Sequence, residues 1–143
     1  MSMYSRFDIC ISRYADDELP TDYWSDVEVV NASGILEEFS DTDWSELLAA
    51  VNGKSEFWIL RMCESMGDVA DERALAVLLD VMFHESETVR YAALDAIRSM
   101  TSSGVEAGKC FALIASAIER AKQENNQAGR VSVLNLEHLL TSK

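Results

Sequence analysis

A chain of 143 residues and 15.9 kDa can bury one core of ordinary size and not two, and with 48% hydrophobic and 26% charged residues it reads as one globular domain spanning 1–143. No stretch approaches the roughly 18 uninterrupted apolar residues of a membrane span, and the opening MSMYSRFDIC lacks the basic-then-apolar layout of a secretory signal, so a cytoplasmic location is expected. The formal net charge of −13 repels nucleic-acid phosphates and anionic lipid and favours a basic partner.

Tyr4, Phe7, Ile11 and Tyr14 carry helical spacing, although Phe7, Ile9 and Ile11 also alternate as in a strand. Helix is preferred, because a lone strand in a helical chain has no partner for its ladder groups. After the break at Pro20, residues 23–39 read as a second helix with Gly34 an imperfection inside it. Beyond Asp41 the spacing predicts helices over 43–52, 55–66, 71–83, 87–101, 105–124 and 127–141. Asp43 with Glu46, and Ser103 with Glu106, have the spacing of a capped N-terminus, and Ser55 and Ser86 each precede a Glu in a first turn. Gly53, Gly67, Gly104 and Gly129 fall between the periodic segments.

Leu75, Leu78, Leu79 and Met82 recur at helical positions, as do Val89, Ala93, Ala96, Ile97 and Met100. Cys110, Phe111, Ile114, Ala117, Ile118 and Ala121 draw a wider stripe that puts Cys110 in the core, and Val131, Leu134, Leu136, Leu139 and Leu140 define the last helix. Leu78, Ala93, Ile97 and Ile114 are expected to be nearly inaccessible, and Arg90 to be a structural hydrogen-bonding residue.

The acidity is local. Residues 1–46 hold 12 acids and 2 bases, a net of −10, whereas 47–143 hold 13 and 10, a net of −3. The acids Asp16, Asp17, Glu18, Asp22, Asp26, Glu28, Glu37, Glu38, Asp41, Asp43 and Glu46 are interleaved with Tyr14, Tyr23, Trp24, Phe39 and Trp44. Two readings remain open: a binding surface in which aromatics supply buried area and carboxylates steer a cation, or a solvated face whose aromatics point inward.

Little supports catalysis. There is no GxSxG, HExxH, GxxxxGK or GxGxxG, so nucleophile-elbow, zincin and phosphate-loop chemistries have no motif. Cys10, Cys63 and Cys110 are widely spaced with only His84 and His138 to assist, which is neither a disulfide framework nor a zinc site. The run Asp16-Asp17-Glu18 lacks the alternation and bend glycine of a calcium loop. His84 reads as a cation capping a helix C-terminus and His138 as a surface or packed histidine. No enzyme activity, metal or cofactor is expected.

Two segments align at an offset of 31 residues, pairing Ser55-Glu56 with Ser86-Glu87, Leu47-Leu48 with Leu78-Leu79, Trp58 with Val89 and Met66 with Ile97. The run from Gly67 to Met100, with Gly67-Asp68, Asp71, Arg73-Ala74, Leu78-Leu79, Val89-Arg90, Ala92-Ala93-Leu94 and Ile97, resembles a HEAT-like repeat. That resemblance implies an all-α, HEAT-like α-solenoid of about three helical hairpins (41–143) preceded by an acidic N-terminal region (1–40), with Asp and Arg at the turns tying neighbouring repeats together. Over EEFSDTDWSELLAAVNGKSEFWILRMCESMGD, in Trp44, Leu47, Leu48, Trp58, Gly67 and Asp68, the chain is also similar in style to the all-helical immunity proteins of bacterial polymorphic toxin and contact-dependent growth inhibition systems.

The second resemblance implies a non-catalytic, antitoxin-like protein that binds and masks a cognate toxin domain, a basic nuclease being the expected case. The expected partner-binding residues are Asp16, Asp17, Glu18, Asp22, Tyr23, Trp24, Asp26, Glu37, Glu38, Asp41, Asp43 and Trp44, in a chain that is monomeric when free and binds neither nucleic acid nor membrane. The alternative is a HEAT-like protein–protein interaction adaptor unrelated to toxins.

Overall fold

The computed structural model describes residues 1–16, 21–69, 71–102, 107–123, 134, 136 and 137. The chain is all-helical: no strand occurs among the described residues. The α-helices run α1 Met3–Ser12, α2 Val29–Glu37, α3 Asp41–Ala50, α4 Glu56–Met66, α5 Glu72–Val81, α6 Glu87–Ser102 and α7 Ala107–Gln123, and residues 134, 136 and 137 are also helical. The expected second helix enters α2 through a π-helical turn, Trp24–Glu28, in which the Val29 amide reaches back to the Trp24 carbonyl. Thr21 caps that turn, its Oγ1 accepting from the Trp24 amide at 3.1 Å.

Local chemistry sets the helix starts. Ser2, Ser40, Ser55 and Asp71 occupy N-cap positions with side chains accepting from the first turn. The α3 cap differs from the expected Asp43–Glu46 pair: Ser40 and Asp43 form the capping box, which starts the helix at Asp41. Ser86 accepts from Val89 N at 3.4 Å. His84, expected as a C-terminal cap, instead accepts the Ser86 amide at Nδ1 (2.9 Å) and closes the turn before α6. Gly67 ends α4 where it approaches α6 closely; a Cβ there would lie 3.2 Å from Ser99 Oγ. The expected Ser103–Glu106 cap, the turns at Gly104 and Gly129, His138 and the side chain of Cys110 lie outside the described residues.

Within one row of helices α1 packs on α3, α3 on α5 and α5 on α7; within a second row α2 packs on α4 and α4 on α6. Across the rows, α1 meets α2 and α4, and α5 meets α6. The first forty residues therefore take part in both rows instead of preceding them. N-terminal ends lie side by side: the Tyr4 amide donates to Asp43 Oδ1 (3.2 Å), Arg73 Nη1 pairs with Asp41 Oδ1 (2.6 Å), and Ser86 Oγ donates to Glu56 Oε1 (2.6 Å). The caps Ser40 and Asp71, like Ser55 and Ser86, stand 31 residues apart, matching the internal alignment.

The core holds Leu78, Ala93, Ile97 and Ile114, as expected, and is continuous with Phe7, Ile11, Trp24, Leu36 and Phe39 from the N-terminal elements. Phe7 stacks edge-on against Phe39 (5.7 Å) and Trp58 (5.9 Å), and Phe39 against Trp44 (4.9 Å). Arg90 donates from Nη1 to the His84 and Glu85 carbonyls, both at 2.9 Å, so it holds the turn before α6. In the last segment Leu136 is buried and Leu134 exposed.

Candidate partner-binding surface

The acidic side chains of the first 46 residues divide by what they touch. Asp8 accepts from Lys54 Nζ and Trp58 Nε1, each at 3.0 Å, and Glu28 from the Cys10 thiol and Asn31. Asp41 is paired with Arg73, which also clasps Asp71 and lies over the Trp44 ring at 5.8 Å. Asp43 is buried in its capping box; hydrogen bonds from the Ser40 amide, and then from the Tyr4 amide and Ser40 hydroxyl, hold its carboxyl below the usual range despite burial. Asp8, Glu28 and Asp43 are engaged by the fold, whereas Asp41 makes an exposed surface pair.

Asp16, Asp22, Asp26, Glu37 and Glu38 are exposed and have no cationic partner among the described residues. Asp22 and Asp26 flank Tyr23 at the entry to α2, and Glu37 and Glu38 stand at its end. A helix C-terminus carries partial negative charge, so carboxylates there are unfavourable to the free fold. Asp17 and Glu18 lie outside the described residues.

The aromatics resolve mostly inward. Trp24 and Trp44 are buried, so the expectation that they hold a partner is corrected: Trp24 packs on Tyr14 (5.3 Å) and donates from Nε1 to Glu64 (2.8 Å), and Trp44 packs on Phe39. Both face the core because the rest of their helices, through Leu36 and Leu47, must bury the same side. Tyr23 alone of the expected aromatic contacts is exposed, at 56%.

Three features escaped the sequence reading. Val27 and Val30 stand exposed on the outer side of the α2 segment. Arg61 is fully buried in α4, donating from Nε to the Tyr14 carbonyl (3.0 Å) and from Nη1 to Glu64 (2.6 and 2.8 Å). Asp68, exposed just beyond α4, joins Glu37 at a groove of about 290 Å3 between α2 and α4. The exposure of Val27 and Val30 was legible only as a spacing that leaves the Trp24, Ala32 and Leu36 stripe.

Neither cysteine with a described side chain suits nucleophilic chemistry: burial, with Glu28 alongside, pushes the Cys10 thiol up to about 11, and burial raises that of Cys63 further. Among the described residues no three His, Cys, Asp or Glu side chains converge as a metal site, and no helix is long and apolar enough to cross a membrane. What the surface offers is exposed carboxylate beside exposed apolar area on an all-helical protein. No family model, curated protein or solved structure matches the chain.

Proposed function

We propose that this chain is a non-catalytic immunity protein, antitoxin-like, that acts in the cytoplasm by binding a cognate basic toxin domain through its acidic surface, and that its helices form a short HEAT-like α-solenoid. The two rows of helices and the caps repeating at 31 residues support the solenoid reading. The observation that carries the functional reading is the set of exposed carboxylates, Asp16, Asp22, Asp26, Glu37 and Glu38, that have no cationic partner among the described residues. Uncompensated like charge lowers the stability of the free fold, and a cationic partner converts that deficit into association.

A nuclease holds a polyanion with Lys and Arg in its cleft. A protein displaying carboxylates can occupy such a cleft and exclude the substrate, with no chemical step. The repeat spacing would serve an adaptor equally well; the uncompensated acids are what favour a basic partner. The test pairs the chain with a basic nuclease domain encoded directly upstream of it. The reading expects a one-to-one complex by light scattering, nuclease activity falling to zero at equimolar ratio, and restored growth of toxin-exposed cells. Absence of a complex, or protection at strongly substoichiometric amounts, contradicts it.

A further inference from the structure

We propose that the outer face of α2 and the groove between α2 and α4 seat the partner, and that the occupant is an amphipathic helix bearing Lys or Arg beside its apolar stripe. This rests on the binding reading above and adds the contact surface and the chemistry it fits. Val30, Gly34 and Glu37 follow one another at spacings of four and three within α2, a row on which a second helix packs, and Tyr23 and Val27 extend the exposed side across the π-helical turn. The α2 segment buries its opposite face through Trp24, Ala32 and Leu36, while Tyr23, Val27 and Val30 are 56%, 41% and 67% exposed. Isolated exposed apolar side chains are ordinary; three on the exposed side of one short segment form an unpartnered patch.

The groove deepens where this row reaches α4. Gly34 contributes no side chain, and a Cβ placed there would meet nothing within 4 Å. The neighbouring Ser33 hydroxyl is turned inward, bonding the Ser65 carbonyl at 2.6 Å, so the floor is low and offers no free hydroxyl. Glu64 lines the wall with its charge already met by Arg61. Glu37 and Asp68 remain at the groove with no cationic partner among the described residues. A neutral apolar helix would cover the patch but strip water from those two carboxylates without replacing it. A polyanion would be repelled. A helix with an apolar stripe over Val30 and Lys or Arg reaching Glu37 and Asp68 meets both demands.

The experiment titrates the full chain by heteronuclear NMR with a synthetic peptide of about 18 residues, Leu and Lys placed to form one apolar and one cationic face, against a scrambled peptide of identical composition. Saturable shifts confined to residues 23–37 and 64–69, with the scrambled peptide weaker by at least about tenfold, are expected. Val30→Lys and Gly34→Arg, both at exposed positions, should each lower affinity by at least about tenfold with unchanged circular dichroism. Shifts spread over acids on α5 to α7, equal binding of the scrambled peptide, or variants that bind like the parent overturn the proposal. Cell protection separates the two claims. A Gly34→Arg chain that still protects toxin-exposed cells removes this surface and leaves the immunity reading standing. Peptide binding mapped to the groove in a chain that neutralises no basic toxin does the reverse.

Discussion

The guanidinium of Arg61 lies fully buried between the end of α1 and the entry to α2, bonded to the Tyr14 carbonyl and to Glu64, which in turn accepts from Trp24. Arg61→Met keeps the volume and removes every donor, stranding the Tyr14 carbonyl and leaving Glu64 without its cation. Loss of at least about 2 kcal/mol is expected in urea unfolding, and a change below about 0.5 kcal/mol would show that the network contributes little. Asp43 couples the fold to pH. Its carboxyl titrates below the usual 3.8 because the Ser40 amide, followed by the Tyr4 amide and Ser40 hydroxyl, favours the ionised form more than burial opposes it. Its stabilisation is therefore present above the unfolded-state value and is lost as pH falls through the lower folded-state value. Asp43→Asn should fall short of the parent in stability at neutral pH, with the gap shrinking as pH drops below about 4. A gap that stays constant from pH 7 to the acid transition would contradict that account.

Helix α2 lacks a side-chain cap and carries a glycine inside it. Gly34 sits mid-helix with open space around it, so Gly34→Ala should raise stability by about 0.5–1 kcal/mol in thermal unfolding; a loss would mean that the glycine answers a constraint absent from its surroundings. Periodicity located α4, α5, α6 and α7 to within a few residues, since their apolar stripes are local features, whereas over the first residues Phe7, Ile9 and Ile11 fitted a strand as well as the helix that α1 forms. It misassigned the α3 cap because Ser40 and Asp43 both satisfy capping chemistry, and the spacing of Asp43 to Glu46 mimics a box one turn late. It left open whether Trp24 and Trp44 faced out, because acids alternating with aromatics describe equally an amphipathic helix and a contact surface. Only the packing of Trp24 against Tyr14, and of Trp44 against Phe39, decides between those. Arg61 and Asp68 were illegible for a related reason: a buried cation is defined by the Tyr14 carbonyl 47 residues away, and a groove acid by its place beside α2.

At the scale of the whole molecule, charge asymmetry was readable from the sequence, and its division into structural and free acids was not. Asp8 and Asp43 are tied into the fold and Asp41 makes only an exposed pair with Arg73, whereas Asp16, Asp22, Asp26, Glu37 and Glu38 have no cationic partner among the described residues. Reversing acids is informative only when structural ones are spared, which removes Glu64, held by Arg61, and Asp80, held by Arg120, from any control set. The most direct measurement is the association rate with the basic toxin domain as a function of salt, for the parent, for Asp16, Asp17, Asp22 and Asp26 reversed to Lys, and for Glu85, Glu87, Asp95 and Glu119 reversed to Lys, the last two being held only by exposed one-turn pairs at 3.8 Å with Arg98 and Lys122. The account predicts that the parent slows steeply with salt, that the N-terminal variant loses at least about tenfold at low salt with circular dichroism unchanged, and that the control set stays within about threefold. Equal losses in the two variants would show that net charge alone drives association, and an N-terminal variant as fast as the parent would contradict an acidic binding surface in the first 46 residues.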